Sequence, residues 1–537
     1  MKKKERKITH KMDFGVTDEQ AGAAMDALNK ILEDRGQSTG AVILGGRDLS
    51  DDQITPLVIN DTLHKITGRW YYVGDTKTKA WKDPSAWHAA YWYFVADYLK
   101  ERFGKDWCLS SEQSLLFNAA DGRIPRQLAI RTPQADTHVV DLPWGYELLV
   151  VHSDLPEKVE YERRFGLRLY PLETAILAVS PGFYQMNPME ARTCLGLLPG
   201  RKGIAEAAIA GGYHIGAGRL VGGLISVGNE LLAEAILSSL RNSCFDVNVC
   251  DPFLGSVKIG PDSCAIATRI RLMWMRMRPA VISEMPDDFL RTSWSPSKVK
   301  ERMDDVFQDD AAASLAMEGY DVKENLIRAV AGGEWEYGTL CKEAEETDVA
   351  VTIGYHEAFR QVQTDILDSM TGGRGPEHLH HRIQDWHERL MKPLEQHGLN
   401  DGEIPHDYRQ CEGFIRGSEH IPVWWINVPF AMMALSGLLI QEDNAFVRAV
   451  LGLFFIDYIR PVRTGSGLFA RLYMNSQLLA GGYPWTVIPA NEARAFEESL
   501  EKARVTGEIS DLARKIAWHS LNSFVAPKLN GEDPEQD

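Results

Sequence analysis

The stretch Tyr458–Pro489 reads YIRPVRTGSGLFARLYMNSQLLAGGYPWTVIP and decides the fold of the C-terminal half of this chain. It predicts a helix, a glycine-rich turn and a second helix, and such a turn opens backbone N–H groups toward an anion at the start of the second helix. Arg460, Arg463 and Arg471 surround the turn, which could therefore hold a phosphate or an acidic side chain. In the alternative interpretation, Arg460 pairs with Asp457 one helical turn earlier and fills the site as a plug.

This stretch resembles the signature of the Fic family, in which helix, loop and helix read roughly YIHPFxDGNGRxxRxLMN and are followed by GGYPWTVIP. The residues that match are Gly465, Gly467, Arg471, Met474, Asn475 and Gly481–Pro489. Further upstream, Ser314–Gly319 matches the motif of the family's inhibitory helix, which has Ser or Thr, three free positions, Glu, and then Gly or Asn. The resemblance implies a largely α-helical Fic domain.

Two more segments resemble the family in the same order along the chain. Asp407–Arg409 followed by Phe414–Pro422 is similar to the flap, a β-hairpin that holds a target protein by strand addition. Val447–Gly452 is similar to the helix that leads into the catalytic loop. The flap residues that we single out are Phe414, Ile415, Arg416, Gly417, Ser418 and His420.

The resemblance implies nucleotide transfer to a protein. In the family, a histidine takes the proton from a target hydroxyl, which then attacks the α-phosphate of a nucleoside triphosphate. An acidic residue holds Mg²⁺ on the phosphates, and two arginines take up phosphate charge. An active member would therefore use ATP with Mg²⁺.

This chain departs from the family pattern at the residues that carry the chemistry. Arg460 occupies the histidine position, and an arginine, with a pKa above about 12, cannot act as a base near neutral pH. Thr464 replaces the acid and so removes the anionic ligand for Mg²⁺. Ser466 replaces the asparagine, Leu468 the first arginine and Val462 the aromatic residue. We therefore expect no bound metal and no required cofactor.

Three interpretations of the remaining site stay open. The loop is plugged by its own residues, or it still binds an anion or nucleotide, or it is a rewired catalytic site. The residues that would bind an anion are Arg463, Gly465, Ser466, Gly467 and Arg471. In a rewired site Arg460 would orient a phosphate, and Glu318 or His420 would supply the base.

Glu318 stands at the position of the inhibitory glutamate, which in the family pairs with the last motif arginine, here Arg471. We expect this ion pair, with Ser314 and Gly319 as the other motif residues. Because no base is left to restrain, the pair would be chiefly architectural. The alternative is an ordinary helix end with Gly319 as its cap.

Composition bounds the class of protein. The chain has 537 residues, a net charge of −17 and 44% apolar residues, and at about 150 residues per domain this length predicts three or four domains. The negative charge argues against wholesale nucleic-acid coating. No apolar window is long enough for a membrane span, and no apolar stretch follows the basic first residues, so we expect a cytoplasmic protein without membrane contact. No C-x-x-C pair signals a zinc site.

The amino-terminal half resembles the corresponding region of longer bacterial Fic proteins and, more distantly, AbiEi-type antitoxins. The residues that carry this resemblance are Leu109–Ser114, Pro125–Leu128 and Gly166–Leu172. It implies a winged-helix-like module followed by an α/β domain, with DNA or a protein as partner. The candidates for DNA contact are Lys65, Arg69, Lys77, Lys79, Arg123 and Arg126. Interleaved acidic residues favour a protein partner.

Two other patterns suggest sites that we do not expect. Gly216–Gly222 superficially resembles a dinucleotide fingerprint but lacks the preceding apolar strand, so we expect close helix packing instead. Four histidines lie in a polar linker and helix without a supporting carboxylate pattern, and we expect them on a solvated helix face rather than around a metal. They are His378, His380, His381 and His387.

The sequence thus predicts a multidomain protein of five segments. They are a helical lead-in with a basic tip (1–40), a winged-helix-like module (41–135), an α/β middle domain (136–285), a degenerate Fic domain (290–525) and a disordered tail (526–537). We expect a bacterial pseudoenzyme that acts by binding in regulation, toxin–antitoxin control or phage defence. The alternatives are an active nucleotidyl or phosphoryl transferase, and a DNA-binding regulator with the Fic fold as a dimerisation scaffold. The oligomeric state, a homo-oligomer included, stays open.

Overall fold

The computed structural model describes residues 17–35, 40–74, 84–255, 257–259, 264–286, 292–333, 335–342, 344–372, 375–399 and 407–525. Within them the chain is mostly helical, and the last β-strand ends at Leu169. The basic tip and the tail that the sequence predicts lie outside the described residues. In the described part of the chain, no helix combines the length and the apolar character that crossing a membrane requires.

The first unit is a helix pair beside a small antiparallel sheet. Helix α1 (Asp18–Arg35) confirms the predicted lead-in helix and contacts α2 (Asp51–Ile59). The sheet has the order β1-β3-β2, with bounds Val42–Leu44, Leu63–Thr67 and Trp70–Val73 for β1, β2 and β3. The run ITGRWYYVG, predicted as one strand, is divided between two, because Gly68 at φ 54° lets the chain turn back on itself.

Helix α3 (Ser85–Phe103) is a core helix. The run SAWHAAYWYFVADYLKERFG has the periodicity of an amphipathic helix, and the helix is present, but thirteen of its 19 residues are buried. Large aromatic side chains on several of its faces need cover on more than one side. Its Trp87 and Phe94 share one apolar core with Trp70 of the first sheet and with Ile130 of a second sheet.

The second sheet crosses the predicted domain boundary at residue 135. Its order is β4-β5-β7-β6, with bounds Cys108–Leu109, Gln127–Thr132, Tyr146–His152 and His138–Leu142. Strand β5 confirms the prediction for QLAIRT, and it pairs in parallel with β7. Helix α4 (Ser111–Asn118) connects β4 to β5. The winged-helix prediction is not confirmed, because α3 is enclosed within the core and presents no exposed face for a nucleic-acid groove.

Within the predicted middle domain (136–285), strands come first and helices follow. After the short strands β8 (Glu160–Tyr161) and β9 (Arg168–Leu169), only helices follow as far as Asn242 among the described residues. They are α5 (Leu172–Ala178), α6 (Pro181–Met186), α7 (Pro188–Leu197), α8 (Arg201–Ala210), α9 (His214–Ser226) and α10 (Glu230–Asn242). Strands β6 and β7, which favoured an α/β domain here, belong to the sheet of β4 and β5, because β7 pairs with β5 on one side and with β6 on the other.

The glycine-rich run in α9 packs closely against the chain, as expected. A Cβ atom at Gly218 or Gly222 would lie 2.0 Å from a carbonyl oxygen of the neighbouring segment 248–250. Only glycine allows a backbone to approach a helix so closely. These glycines therefore serve packing.

The C-terminal half is the expected bundle of helices. Their bounds are Ala265–Ser283 (α11), Pro296–Met317 (α12), Glu324–Gly332 (α13), Tyr337–Leu340 (α14), Glu346–Met370 (α15), Ile383–Gln396 (α16), Val428–Gln441 (α17), Ala445–Ile459 (α18), Ser466–Ala480 (α19), Ala493–Thr506 (α20) and Ser510–Val525 (α21). Helices α18 and α19 pack on each other at the centre of the largest core. Nearly all of their residues are buried, which agrees with their continuous apolar sequence.

The predicted β-hairpin flap is absent from the described part of the chain, because residues 407–424 contain no strand. Side chains rather than a partner strand satisfy the backbone here. The Ile415 carbonyl accepts a hydrogen bond from the Ser85 hydroxyl, and the Glu419 amide donates to the Glu501 carboxylate. Gly417 at φ 72° adds a left-handed turn. The segment is therefore irregular and lies between the amino-terminal sheets and the helical bundle.

Candidate functional site

The loop between α18 and α19 is set by two residues in left-handed conformation. Helix α18 ends at Ile459, and its C-cap is Arg460, whose φ of 49° is unusual for a residue with a side chain. Gly465, at φ 81°, is the N-cap of α19. The chain between them turns sharply enough for the N-terminus of α19 to lie beside the C-terminus of α18.

Arg460 is held at both its backbone and its side chain. Its carbonyl oxygen accepts a hydrogen bond of 2.7 Å from Nε of Arg409, and its Nη1 lies 3.4 Å from Oδ1 of Asp457. The side chain is 19% exposed. The predicted Arg460–Asp457 pair is present, and these contacts restrain the residue at the family's histidine position.

Asp457 is the centre of a buried charge network. Its Oδ2 lies 2.6 Å from Nε of Arg504, whose side chain is 1% exposed and also reaches Glu497 and Glu501 at 2.8 and 3.0 Å. Burial alone would raise the pKa of Asp457, but the charges of Arg504 and Arg460 outweigh burial and hold this pKa below its usual value. Asp457 thus stays ionised and ties α18 to α20.

The other substituted positions build the interior of the loop. The Ser466 hydroxyl donates to the Val462 carbonyl at 2.8 Å and has no exposed surface. Val462 and Leu468 are 2% and 1% exposed. Thr464 is half-buried, and only Arg463 is exposed among these loop residues. The side chains that replace the family's polar groups therefore face inward.

The expected ion pair between Glu318 and Arg471 is present. Nη2 of Arg471 lies 3.0 Å from Oε1 of Glu318 and 2.9 Å from the Ser314 carbonyl oxygen, and Nε donates to the Ser314 hydroxyl at 3.3 Å. Arg471 is 7% exposed. Both motif residues of α12 thus engage the last motif arginine.

The alternative interpretation, an ordinary helix end with Gly319 as its cap, also describes the C-terminus of α12. Gly319 has φ 91°, its amide bonds to the Ala316 carbonyl, and the Tyr320 amide reaches back to the Leu315 carbonyl. This pattern is a Schellman helix end. The two interpretations are therefore compatible, because the glycine cap positions Glu318 for its ion pair.

Glu318 lies against the N-terminus of α19. A Cβ atom at Gly467 would stand 2.2 Å from Oε1 of Glu318, so the carboxylate occupies the space that this glycine leaves open. A helix N-terminus favours a negative charge at this position. The anion-binding position of the loop is thus filled by a carboxylate from the same chain.

One curated protein is similar to part of the chain. Over 114 residues the chain is 29% identical to the protein adenylyltransferase Fic of Nematostella vectensis, a match that covers 20% of this chain and 26% of that protein. Over this stretch the chain is thus similar to a Fic protein. It spans about a quarter of the length of this curated relative. No protein-family model matches the chain.

Three solved Fic structures are similar at low scores. Fic-1 (residues 134–508) of C. elegans has 17% identity and a TM-score of 0.36, covering 66% of this chain and 87% of that one. A Fic-domain signalling protein of Bacteroides thetaiotaomicron and a Fic family protein of Desulfovibrio desulfuricans each have 15% identity and a TM-score of 0.33, over 48% of this chain. They cover 91% and 74% of those chains. At these scores the likeness carries no argument about the site.

The sequence did not single out Asp310, although it lies near the Glu318–Arg471 pair. Its carboxylate accepts hydrogen bonds from Trp485 Nε1 at 2.9 Å and from the Tyr355 hydroxyl at 2.5 Å. Burial raises the pKa of Asp310, and these hydrogen bonds only partly offset that effect. A single acidic residue on a helix gives no signal in the sequence. Its hydrogen-bond partner Trp485, however, lies within the matched run GGYPWTVIP. Asp310 fastens this run to α12.

The flap residues of the Fic resemblance are spread over different environments. Ile415, Ser418 and His420 are buried, Phe414 is half-buried, and Arg416 and Gly417 are exposed. The Ser418 hydroxyl donates to Glu501 at 2.5 Å, which joins this segment to the Arg504 network. The segment is thus part of the packed structure.

His420 is poorly suited to act as a base. Its Nε2 lies 2.9 Å from the Tyr458 carbonyl oxygen, so this nitrogen carries the proton, and the ring stacks on Tyr458 at 4.3 Å. Burial lowers the pKa of His420 to about 4. A group with this pKa, enclosed by its own chain, is a weak base without access to a substrate.

The four histidines do not lie together on a solvated helix face. His380 and His387 are buried, because the helix α16 and the turn before it pack against the bundle. His380 contacts the Glu377 carbonyl and the Ser436 hydroxyl at 2.9 and 2.7 Å, and burial lowers the pKa of His380 to about 4. Within the described ranges, no group of three or more His, Cys, Asp or Glu side chains is placed to hold a metal ion.

The three arginines among the candidate DNA-contact residues form ion pairs within the protein. Arg123 pairs with Asp121 at 2.6 Å, Arg126 with Glu419 at 2.8 Å, and Arg69 with Asp51 at 2.9 Å. Lys65 is exposed, whereas Lys77 and Lys79 lie outside the described residues. The arginines therefore do not form a set of uncommitted cations on one face.

Proposed function

We propose that this chain is a Fic-type protein that no longer transfers nucleotides and instead acts through binding, in a regulatory, toxin–antitoxin or phage-defence role. The observation that carries the proposal is the occupation of the loop by its own residues. Asp457 and Arg409 hold Arg460, and Glu318 takes both Arg471 and the N-terminus of α19. A triphosphate would have to displace the Glu318 carboxylate before it could reach the positive end of the helix.

The chemistry of the site supports the same proposal. Nucleotidyl transfer by this fold needs a base for the target hydroxyl and an acidic ligand for Mg²⁺. Arg460 and Thr464 provide neither. Of the two substitute bases, His420 is enclosed with a pKa of about 4, and Glu318 is bound to Arg471. A rewired transferase would therefore need a base from elsewhere.

A protein partner has more support than DNA. The arginines of the amino-terminal module are engaged in ion pairs, which removes the concentrated positive charge that nucleic-acid binding requires. In contrast, α17 exposes large apolar side chains at helical spacing, a feature typical of protein interaction surfaces. They are Phe430, Met433 and Ile440, at 47%, 66% and 40% exposure.

The direct test is transfer of α-phosphate-labelled nucleotide by the purified full chain with Mg²⁺. We expect neither self-labelling nor labelling of added proteins, and the Glu318→Gly variant should stay equally inactive because its base is still missing. Labelling by the unaltered chain that is lost in Arg471→Ala would overturn the proposal. A variant that combines Glu318→Gly with Arg460→His, Thr464→Asp, Ser466→Asn and Leu468→Arg tests whether the fold still accepts the chemistry, with circular dichroism as the control for folding.

A further inference from the structure

A cleft of about 620 Å³ opens on the first sheet and the end of α3. Its lining comes from the turn after β1, the turn between β2 and β3, and the C-terminal end of α3. Each of these three parts contributes one arginine, namely Arg47, Arg69 and Arg102. Among the described residues that line the cleft, Glu101 is the one acidic side chain. The lining therefore carries a net positive charge, although the whole chain is negative.

Arg69 is held in one orientation by an acid and by a glycine. Its Nη2 lies 2.9 Å from Oδ1 of Asp51. A Cβ atom at Gly46 would stand 2.6 Å from the same Nη2, so the guanidinium lies in the space that this glycine leaves open. The side chain is nevertheless 58% exposed. Arg69 thus has a fixed position but remains accessible from solvent.

Arg47 is positioned by a carboxylate that is itself fixed. Its Nε and Nη2 donate to the two carboxylate oxygens of Asp48 at 3.1 and 3.2 Å. The Asp48 side chain is 6% exposed, and its Oδ2 also accepts a hydrogen bond of 2.8 Å from the Leu44 amide. Asp48 therefore orients Arg47, whose side chain is 50% exposed.

Arg102 differs from the other two arginines because its contacts carry no negative charge. Its Nη1 donates to the Tyr98 hydroxyl at 3.2 Å, and its guanidinium lies 5.9 Å from the centre of the Phe103 ring. Within the described part of the chain, no carboxylate lies within salt-bridge distance of Arg102. A guanidinium has five N–H donors, so a single hydrogen bond leaves most of them for an anion.

The shape of the cleft favours a partner larger than a small molecule. Sites for small ligands enclose about 70 to 90% of the ligand surface. Here the aromatic residues that line the cleft, Trp70 and Tyr98, are 3% and 8% exposed, whereas the arginines are half exposed or more. The cations therefore stand on an open rim above a rigid base. Such a rim suits a segment that lies across the cleft.

The charges favour carboxylates over a nucleic-acid backbone. Arginine presents a planar fork of donors that matches a carboxylate in two parallel hydrogen bonds. A nucleic acid would instead bring a continuous row of phosphates past Asp51, whose side chain is 82% exposed, and past Glu101. A few separate carboxylates avoid this repulsion.

We propose that this cleft binds an acidic segment of a partner protein, with Asp or Glu carboxylates of that segment on Arg102 and on the remaining donors of Arg47 and Arg69. Glu101 favours an amide or basic residue beside those carboxylates. The site supplies a specific contact for the protein partner, and it does not depend on whether the loop between α18 and α19 transfers nucleotides.

Fluorescence anisotropy of a labelled peptide tests the proposal with the purified full chain. The probe is a peptide that alternates glutamate and glycine, and its control has glutamine in place of glutamate. We expect the glutamate peptide to bind at low salt and to be released as salt increases, because the contacts are exposed. The glutamine peptide should bind no more tightly than about 1 mM.

Removing Arg102 should give the largest loss of binding. Arg102→Ala should weaken binding of the glutamate peptide about tenfold, because a charge-assisted hydrogen bond is lost. The matched control is Lys100→Ala, which removes the same charge from an exposed residue of the same helix that does not line the cleft. Residues two positions apart on a helix do not face each other, so this control should change the affinity less than about twofold.

Releasing Arg69 from its acid should increase the affinity. Asp51→Asn should strengthen binding of the glutamate peptide about two- to fivefold, because the exposed ion pair no longer competes with the peptide. The control is Asp52→Asn, which makes the same charge change at the next exposed residue of α2. This control should leave the affinity nearly unchanged.

Three results would overturn the proposal. The first is no binding of the glutamate peptide at low salt. The second is an equal loss in Arg102→Ala and Lys100→Ala, which would show attraction to the overall charge rather than to the cleft. The third is tighter binding of a single-stranded oligonucleotide of the same charge as the peptide. Circular dichroism confirms that the variants fold, and their exposed positions make a folding defect unexpected.

Discussion

The loop between α18 and α19 and residues 412–424, which we call the latch segment, both resemble segments of Fic proteins in sequence, but they are held in place in different ways. The loop is fixed by neighbours on its own two helices and by α12, through Asp457, Ser466 and Glu318. The latch segment has no regular structure and takes its shape from the module on one side and the bundle on the other. The sequence resemblance therefore predicts the conformation of the loop better than that of the flap.

The loop adds local hydrogen bonds to its distant contact with Glu318, whereas the shape of the latch segment depends mainly on distant partners. Hydrogen bonds between residues a few positions apart form wherever the sequence places the partners, and the turn at Gly465 is of this kind. The latch segment relies on Ser85 and Arg126, which lie about 300 positions away in the sequence. The predictions below test this contrast, beginning with the largest expected effect.

Removing the carboxylate of Asp457 should have the largest effect. Asp457→Ala leaves Arg504, with its 1% exposed side chain, without its closest partner, and we expect a loss of about 3 kcal/mol in the free energy of unfolding. Arg460→Ala should cost less than about 1 kcal/mol, because its contact with Asp457 is longer and more exposed. Urea unfolding measures both. Equal losses would mean that Asp457 stabilises the fold through its pair with Arg460 rather than through its pair with Arg504.

The pH dependence of stability should depend on His420. Its pKa in the folded protein is about 4, below the ordinary 6.5, so the fold favours the neutral ring. This contribution is present above pH 6.5 and is lost as the pH falls toward 4, by about 2 kcal/mol at pH 5. His420→Gln should therefore flatten the dependence between pH 7 and pH 5 by that amount. Parallel curves for the two proteins would contradict a buried neutral histidine.

The effect of Gly467→Ala on the free energy of unfolding should change sign when the Glu318 carboxylate is removed. Gly467→Ala places a methyl group 2.2 Å from the Glu318 carboxylate, and moving this carboxylate away from Arg471 should cost about 1 to 2 kcal/mol. In the Glu318→Ala background the same substitution should be neutral, or stabilise by up to about 1 kcal/mol, because alanine favours a helix. Thermal unfolding of the four proteins gives the coupling. If the effects of the two substitutions were additive, Glu318 would not contact the N-terminus of α19.

The smallest effect belongs to the rim of the latch segment. Arg126→Ala removes an exposed ion pair with Glu419 and should lower stability by less than about 1 kcal/mol, with the loss disappearing in high salt. Denaturation at two salt concentrations is the measurement. A salt-independent loss of several kcal/mol would mean that the module and the bundle form one permanent core.

The sequence predicted the C-terminal helices, the glycine-rich turn around Gly465 and the Glu318–Arg471 pair, because each depends on a spaced pattern or on a matched motif. It did not predict that β6 and β7 complete a sheet with β5, since strand pairing depends on partners distant along the chain. It predicted α3 as an amphipathic helix but not its burial on several faces, because helical periodicity does not reveal a second covering layer. The prediction of a hairpin for the flap failed for the same reason, because the hydrogen-bond partners of its backbone lie in other elements.

Calorimetric titration with ATP, with and without Mg²⁺, tests the central claim that the loop is closed by its own residues. We expect the unaltered chain to bind no more tightly than about 1 mM, because Glu318 holds Arg471 and occupies the helix N-terminus. Binding should appear in the variant that combines Glu318→Gly with Arg460→His, Thr464→Asp, Ser466→Asn and Leu468→Arg. Tight Mg²⁺-dependent binding by the unaltered chain would contradict the claim and favour an active transferase.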